Sequence, residues 1–119
     1  MNGSRQVSYA DGMTTPEISR IDSLKALAAT DPANALIAYM LANEYLKAMR
    51  YEEALSELEA YFAKTEDEGS GYRMAAMANL ALGREEAARQ AYRKGIESAA
   101  RHHHASMVSE FEEALAELE

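Results

Sequence analysis

The side chains able to do chemistry are few, and their spacing argues against catalysis. All three histidines, His102, His103 and His104, are consecutive. Imidazole is a common transition-metal ligand, so the run raises the question of a metal site. Successive residues on a helical turn point roughly 100° apart, so these three cannot close a compact tetrahedral site by themselves. Their place just past a predicted helix suits positive charge at the negative end of its dipole. The glutamate pairs 52–53, 85–86 and 112–113 fall at predicted helix starts or on solvent faces. There they serve solubility and the dipole. The sequence has no cysteine, no Gly-rich phosphate loop and no HExxH motif. Its serines are scattered, with none in a nucleophile elbow. With the histidines together, no distant histidine can join an acid–base pair. The sequence predicts no catalytic residues, no metal and no cofactor: not an enzyme.

The elements that carry these residues are predicted to be helical. The chain has 119 residues, one domain's worth, enough for a core without disulfide or metal help. A cysteine-free composition suits a reducing compartment, and we expect a cytoplasmic protein. No stretch approaches the ~20 apolar residues of a membrane span. Residues 1–15 lack an apolar run, so they are not read as a signal peptide. Their polar, Gly/Ser-rich character predicts a flexible tail. The net charge is −8. Residues 32–67 carry three Lys/Arg against seven Asp/Glu, residues 68–104 six against four, and residues 105–119 five Glu and no base. An acidic chain repels phosphate backbones, so nucleic acid is not an expected partner. The asymmetry would let the acidic last helix lie against the basic segment before it.

Thr15-Pro16-Glu17 has the form of a helix start, followed by the stripe Ile18, Ile21, Leu24, Leu27 and Ala28. Asp31-Pro32 repeats the signal before a second helix with Ala38, Leu41, Ala42, Tyr45 and Met49. Met49-Arg50 is read as a turn. A third helix then carries Tyr51, Ala54, Leu55, Leu58, Tyr61 and Phe62, and Thr65 to Gly71 breaks the pattern. Further helices are predicted over 72–82, ended by Gly83, over 84–100, and over 106–118 with the stripe Val108, Phe111, Leu115 and Leu118.

Positions 34 apart match: Met40 with Met74, Ala42 with Ala76, Leu46 with Leu80, Arg50 with Arg84, Glu52 with Glu86 and Ala54 with Ala88. A fixed period over a helix–turn–helix unit marks a solenoid repeat. Small residues at such places let two helices cross closely, where larger ones would cost about 1–3 kcal/mol by overpacking. The run Leu41-Ala42-Asn43-Glu44-Tyr45, turn, Tyr51-Glu52-Glu53-Ala54 resembles the tetratricopeptide repeat. The second unit keeps Ala76, Gly83, Ala88, Tyr92 and Gly95. Departures from the family pattern are Ala38 for an early aromatic, Asn79 for the tyrosine, and Glu66 and Ala100 for the closing proline.

The resemblance implies an all-α fold of about six helices, stacked as antiparallel pairs in a short right-handed superhelix. Residues 16–119 form one domain: a leading helix 16–31, repeats 35–68 and 69–102, and a capping helix 105–119. It also implies a non-catalytic module binding a peptide or helix of a partner protein in an apolar concave groove. The groove places are Leu36, Tyr39, Met40, Asn43, Leu46 and Lys47, then Ser70, Arg73, Met74, Met77, Leu80 and Ala81. Methionines there would adapt to varied apolar ligands. The last helix could fill part of that groove, and Met and Leu at this spacing also serve as core. Asn43 falls on one position of the family's chaperone-tail clamp, but Tyr39 and Met74 replace other clamp positions, so the clamp is rejected. That leaves Asn43 to bond a neighbouring helix, water or a partner backbone. Two other readings stay open: a self-associating structural domain, such as a homodimer, and an accessory domain of a larger assembly.

Overall fold

The computed structural model describes residues 16–119, with side chains from Ser19 onward. The tail expected over 1–15, the Thr15 cap and the Ile18 side chain lie outside the described residues. Six helices follow in order: α1 (Pro16–Thr30), α2 (Ala35–Lys47), α3 (Tyr51–Lys64), α4 (Ser70–Ala81), α5 (Glu85–Arg101) and α6 (Ala105–Glu117). Each helix packs on the next, and α2 also touches α4. This is an all-α helical repeat, 57 Å in its longest dimension.

The alanines placed at the helix crossings explain the close pairing. Ala42 and Ala54 join α2 to α3, Ala76 and Ala88 join α4 to α5, and all four are fully buried. Around them runs one core of Leu58, Met74, Ala91, Tyr92 and Phe111, and a second of Ile21, Ile37, Leu41 and Tyr45. Gly95 serves a different crossing. A Cβ there would lie 2.7 Å from the Phe111 ring, so the missing side chain is what lets α6 seat its phenylalanine on α5. One member of the predicted α1 stripe is misplaced: Leu27 is 52% exposed, while Ile21 is buried. Among the described residues α1 packs mainly on α2, so it buries a narrow stripe there.

Three tight turns share one backbone form. Met49, Gly83 and His103 have φ values of 60°, 77° and 63°, and each is followed by a helix N-cap, Arg50, Arg84 or His104, with ψ 74°. The N–H groups of Arg50, Arg84 and His104 donate to Tyr45, Asn79 and Ala99 carbonyls, each at 2.8 Å. Glycine is the residue suited to a positive φ, and Met49 and His103 hold it at a cost. Gly83 therefore ends α4 as predicted, and the histidine run is a third copy of the same turn.

The segment read as a pattern break, Thr65 to Gly71, is the most ordered loop chemically. Asp67 is only 3% exposed. Its Oδ2 accepts from the N–H groups of Gly69 at 2.8 Å and Gly71 at 2.9 Å, and its Oδ1 accepts from the Tyr61 hydroxyl at 2.6 Å. The Ser98 hydroxyl donates to the Asp67 carbonyl. The carboxylate satisfies first-turn donors, so α4 begins at Ser70, two residues before the predicted start.

Candidate functional site

The predicted groove residues lie on the first helix of each unit, α2 and α4, and their surroundings differ. On α4, Met77 is 47% exposed and Leu80 is 36% exposed. Ala81 is exposed beside them. On α2, Asn43 and Lys47 are exposed, and Tyr39, Met40 and Leu46 are half-buried. Leu36, at the start of α2, is 60% exposed. Met74 is different: at 6% exposed it belongs to the core with Tyr92 and Phe111. It is the one predicted groove residue turned fully inward. Tyr92 of α5 and Phe111 of α6 share its core cluster, whereas the equivalent Met40 packs against the smaller cluster around Ile21 of α1.

Two hollows adjoin these residues. One, of about 430 Å³, lies between α1 and α2 and is lined by Arg20, Ser23, Leu24, Tyr39, Met40, Asn43 and Glu44. The other, of about 390 Å³, lies at the helix starts and is lined by Ala35, Leu36, Tyr39, Tyr61, Thr65 and Ser70. The Tyr39 hydroxyl donates to Ser70 Oγ at 3.1 Å, which ties α2 to α4 between the hollows. The Tyr39 ring meets Tyr61 edge-on at 5.3 Å. A third hollow, of about 450 Å³, opens elsewhere, between α3 and α4, with the Arg84–Glu52 ion pair on its rim.

Charge in the site is arranged in pairs. Glu44 is buried beside the first hollow, held by Arg20 Nε at 3.0 Å and Lys47 Nζ at 3.3 Å. Burial alone would raise its pKa. The hydrogen bonds and charges of Arg20 and Lys47 outweigh that and hold the carboxyl below its usual range. Arg73 lies at the other end, in a two-bond fork with Glu110 of α6 at 2.7 Å for each bond. That fork holds Glu110 below the ordinary carboxylate range. The Arg73 guanidinium also sits 5.5 Å from the centre of the Phe111 ring. Arg73 is thus engaged by the last helix. The last helix covers Met74 and binds Arg73, while Met77 and Leu80 are exposed. The Tyr61 pKa is pushed well up, first by burial and then by its bond to Asp67.

Two of the histidines have side-chain partners of their own. His102 Nδ1 lies 2.9 Å from the Ser98 carbonyl, and its Nε2 is 3.5 Å from Glu66. His104 Nε2 is 2.8 Å from Glu68, and His103 is exposed on the turn. Among the described residues no group of His, Asp and Glu is arranged to hold a metal ion, and no helix is long and apolar enough to cross a membrane. Two residues central to the geometry were missed from sequence: Asp67, which fixes where α4 begins, and Glu44, which binds Arg20 and Lys47. An acid two and four residues ahead of glycines at a helix start was the available signal for Asp67.

No curated protein matches the chain. A family model described as the tetratricopeptide repeat matches residues 15–100, most of the sequence. With the 34-residue period, the buried alanine crossings and the six stacked helices, that match means the chain belongs to the tetratricopeptide repeat family.

Proposed function

We propose that the chain is a non-catalytic module that holds a peptide or helix of a partner protein across the face formed by α2 and α4. Repeats of this family generally mediate protein–protein interactions. The observation that carries the finer reading is the pair Met77 and Leu80: large apolar side chains left exposed on the inner helix of a solenoid, beside exposed Asn43 and Lys47. Single exposed apolar residues need no explanation, but two on one helix face, one turn apart, form an apolar strip with a polar margin. A helix docked there would bury its apolar face on Met77 and Leu80. In this reading exposed Asn43 would bond a backbone group of the partner.

The test is capture from an extract of the source cells, with the intact domain beside Met77→Glu/Leu80→Glu. Both positions are exposed, so the variant keeps its core. A protein held by the intact domain and lost by the folded variant supports the reading. Equal capture by both removes it.

A further inference from the structure

Resting on that reading of the α2–α4 face, we propose that the partner segment is a basic amphipathic helix. Its apolar stripe lies on Met77 and Leu80, and its lysines or arginines lie against an acidic stripe on α6. Helix α6 stands beside α4 in a fixed register. A tight turn reverses the chain between α4 and α5 and again between α5 and α6, so α4 and α6 run the same way. Their contacts keep step. A Cβ at Gly69 would meet Met107, and four residues further along α4 Arg73 forks onto Glu110. The far end of α6 stays close to the start of α5, where Arg89 donates to the Leu118 carbonyl at 2.9 Å. Continued at the same rise per residue, the register sets Met77 and Leu80 beside residues 113–117 of α6.

Helical spacing decides which α6 side chains border that line. Glu113 and Glu117 follow Glu110 by three and seven residues, so the three share one face. Glu110 is committed to Arg73. Glu113 and Glu117 are exposed, and among the described residues neither has an ion pair. The bases of the same face are already engaged: Lys47 Nζ lies 3.3 Å from Glu44, and Arg73 is held in its fork. The exposed apolar strip therefore has one margin of uncompensated negative charge.

That margin selects the occupant. Met77 and Leu80 supply the contact area, and the glutamates set the sign of the charge that can lie beside it. A partner helix with Asp or Glu on this flank meets like charge, on a chain whose net charge is already −8. A partner helix with Lys or Arg there gains two ion pairs. Exposed pairs are individually weak, so the two together correspond to about a three- to tenfold gain in affinity.

A display library of random peptides of about 16 residues, panned against the full chain, tests this. Binders are then measured by fluorescence anisotropy against three variants. Met77→Glu/Leu80→Glu removes the apolar strip, and Glu113→Gln/Glu117→Gln removes the acidic margin. Glu59→Gln/Glu97→Gln makes the same change in net charge at exposed positions on α3 and α5. The selected peptides are expected to carry apolar residues at helical spacing and an excess of Lys and Arg over Asp and Glu. They are expected to lose Met77→Glu/Leu80→Glu altogether and to bind Glu113→Gln/Glu117→Gln about three- to tenfold more weakly, with Glu59→Gln/Glu97→Gln close to wild type. Peptides that need Met77 and Leu80 but show no excess of bases overturn the basic partner and leave the groove reading standing. So does equal binding to Glu113→Gln/Glu117→Gln, or an equal loss in Glu59→Gln/Glu97→Gln. Peptides indifferent to Met77→Glu/Leu80→Glu, or no binder at all, overturn both.

Discussion

Replacing Asp67 with alanine is the perturbation whose consequence can be worked out most fully. The carboxylate is almost wholly buried and accepts three hydrogen bonds, from Gly69 N–H, Gly71 N–H and the Tyr61 hydroxyl. Asp67→Ala leaves first-turn donors of α4 without their acceptor, a loss of about 1–2 kcal/mol for a helix cap. The half-buried Tyr61 hydroxyl loses its partner as well, worth about 1 kcal/mol. The total is about 2–3 kcal/mol. For a chain of this size about 4 °C of Tm goes with each kcal/mol, so a fall of about 10 °C is expected. Thermal unfolding followed by circular dichroism measures the fall, and urea unfolding the free energy. Tyr61→Phe alone should cost about 1 kcal/mol, and the double variant should fall short of the sum by a similar amount, because the two share one bond. An Asp67→Ala chain within about 0.5 kcal/mol of wild type, or strict additivity with Tyr61→Phe, would refute the assignment of Asp67 as the cap of α4.

Three further outcomes follow from the packing and the charges. Gly95→Ala puts a Cβ 2.7 Å from the Phe111 ring. Despite the better helix propensity of alanine, it should destabilise by about 1–2 kcal/mol in urea, and Phe111→Leu should relieve part of the clash. Met49 is exposed with φ 60°, so Met49→Gly removes left-handed strain without touching the core and should raise stability by about 1 kcal/mol in thermal unfolding. Glu44 titrates below its ordinary value of 4.5 in the folded chain. Its stabilising contribution is therefore complete above that value and is lost as pH falls through the lower folded value. The urea midpoint should drop as pH falls below about 4.5, and drop less in Glu44→Gln.

Much of the fold was legible because its determinants are local and periodic. Ala42, Ala54, Ala76 and Ala88 were readable as crossing points because they recur 34 residues apart at the small positions that the resemblance to the repeat family implies, and all four are fully buried. Gly83 was readable as a helix end because glycine suits a positive φ. The same turn at Met49 and at His103 carries no such residue, so the identity of the three turns came only from the backbone. Asp67 looked like one acid among Glu66 and Glu68. What sets it apart is burial by Tyr61 and Ser98, from helices separated along the chain. The groove set was legible as positions on two helices but not as a surface. Met74 and Met77 are three residues apart on α4, yet one is core and the other open, and the difference comes from which neighbouring helices cover each. Leu27 failed as a core residue for a like reason, because no described helix covers its side of α1.

The central claim is that the α2–α4 face holds another polypeptide, and a photo-crosslinking amino acid placed there tests it most directly. It would be introduced in cells at Met77 or Leu80, and as a control at Ser56 in the hollow between α3 and α4. The account predicts a discrete crosslinked product, with the same partner identified from both Met77 and Leu80, and no such product from Ser56. Absence of a product at Met77 and Leu80, or an equal product at Ser56, would contradict it.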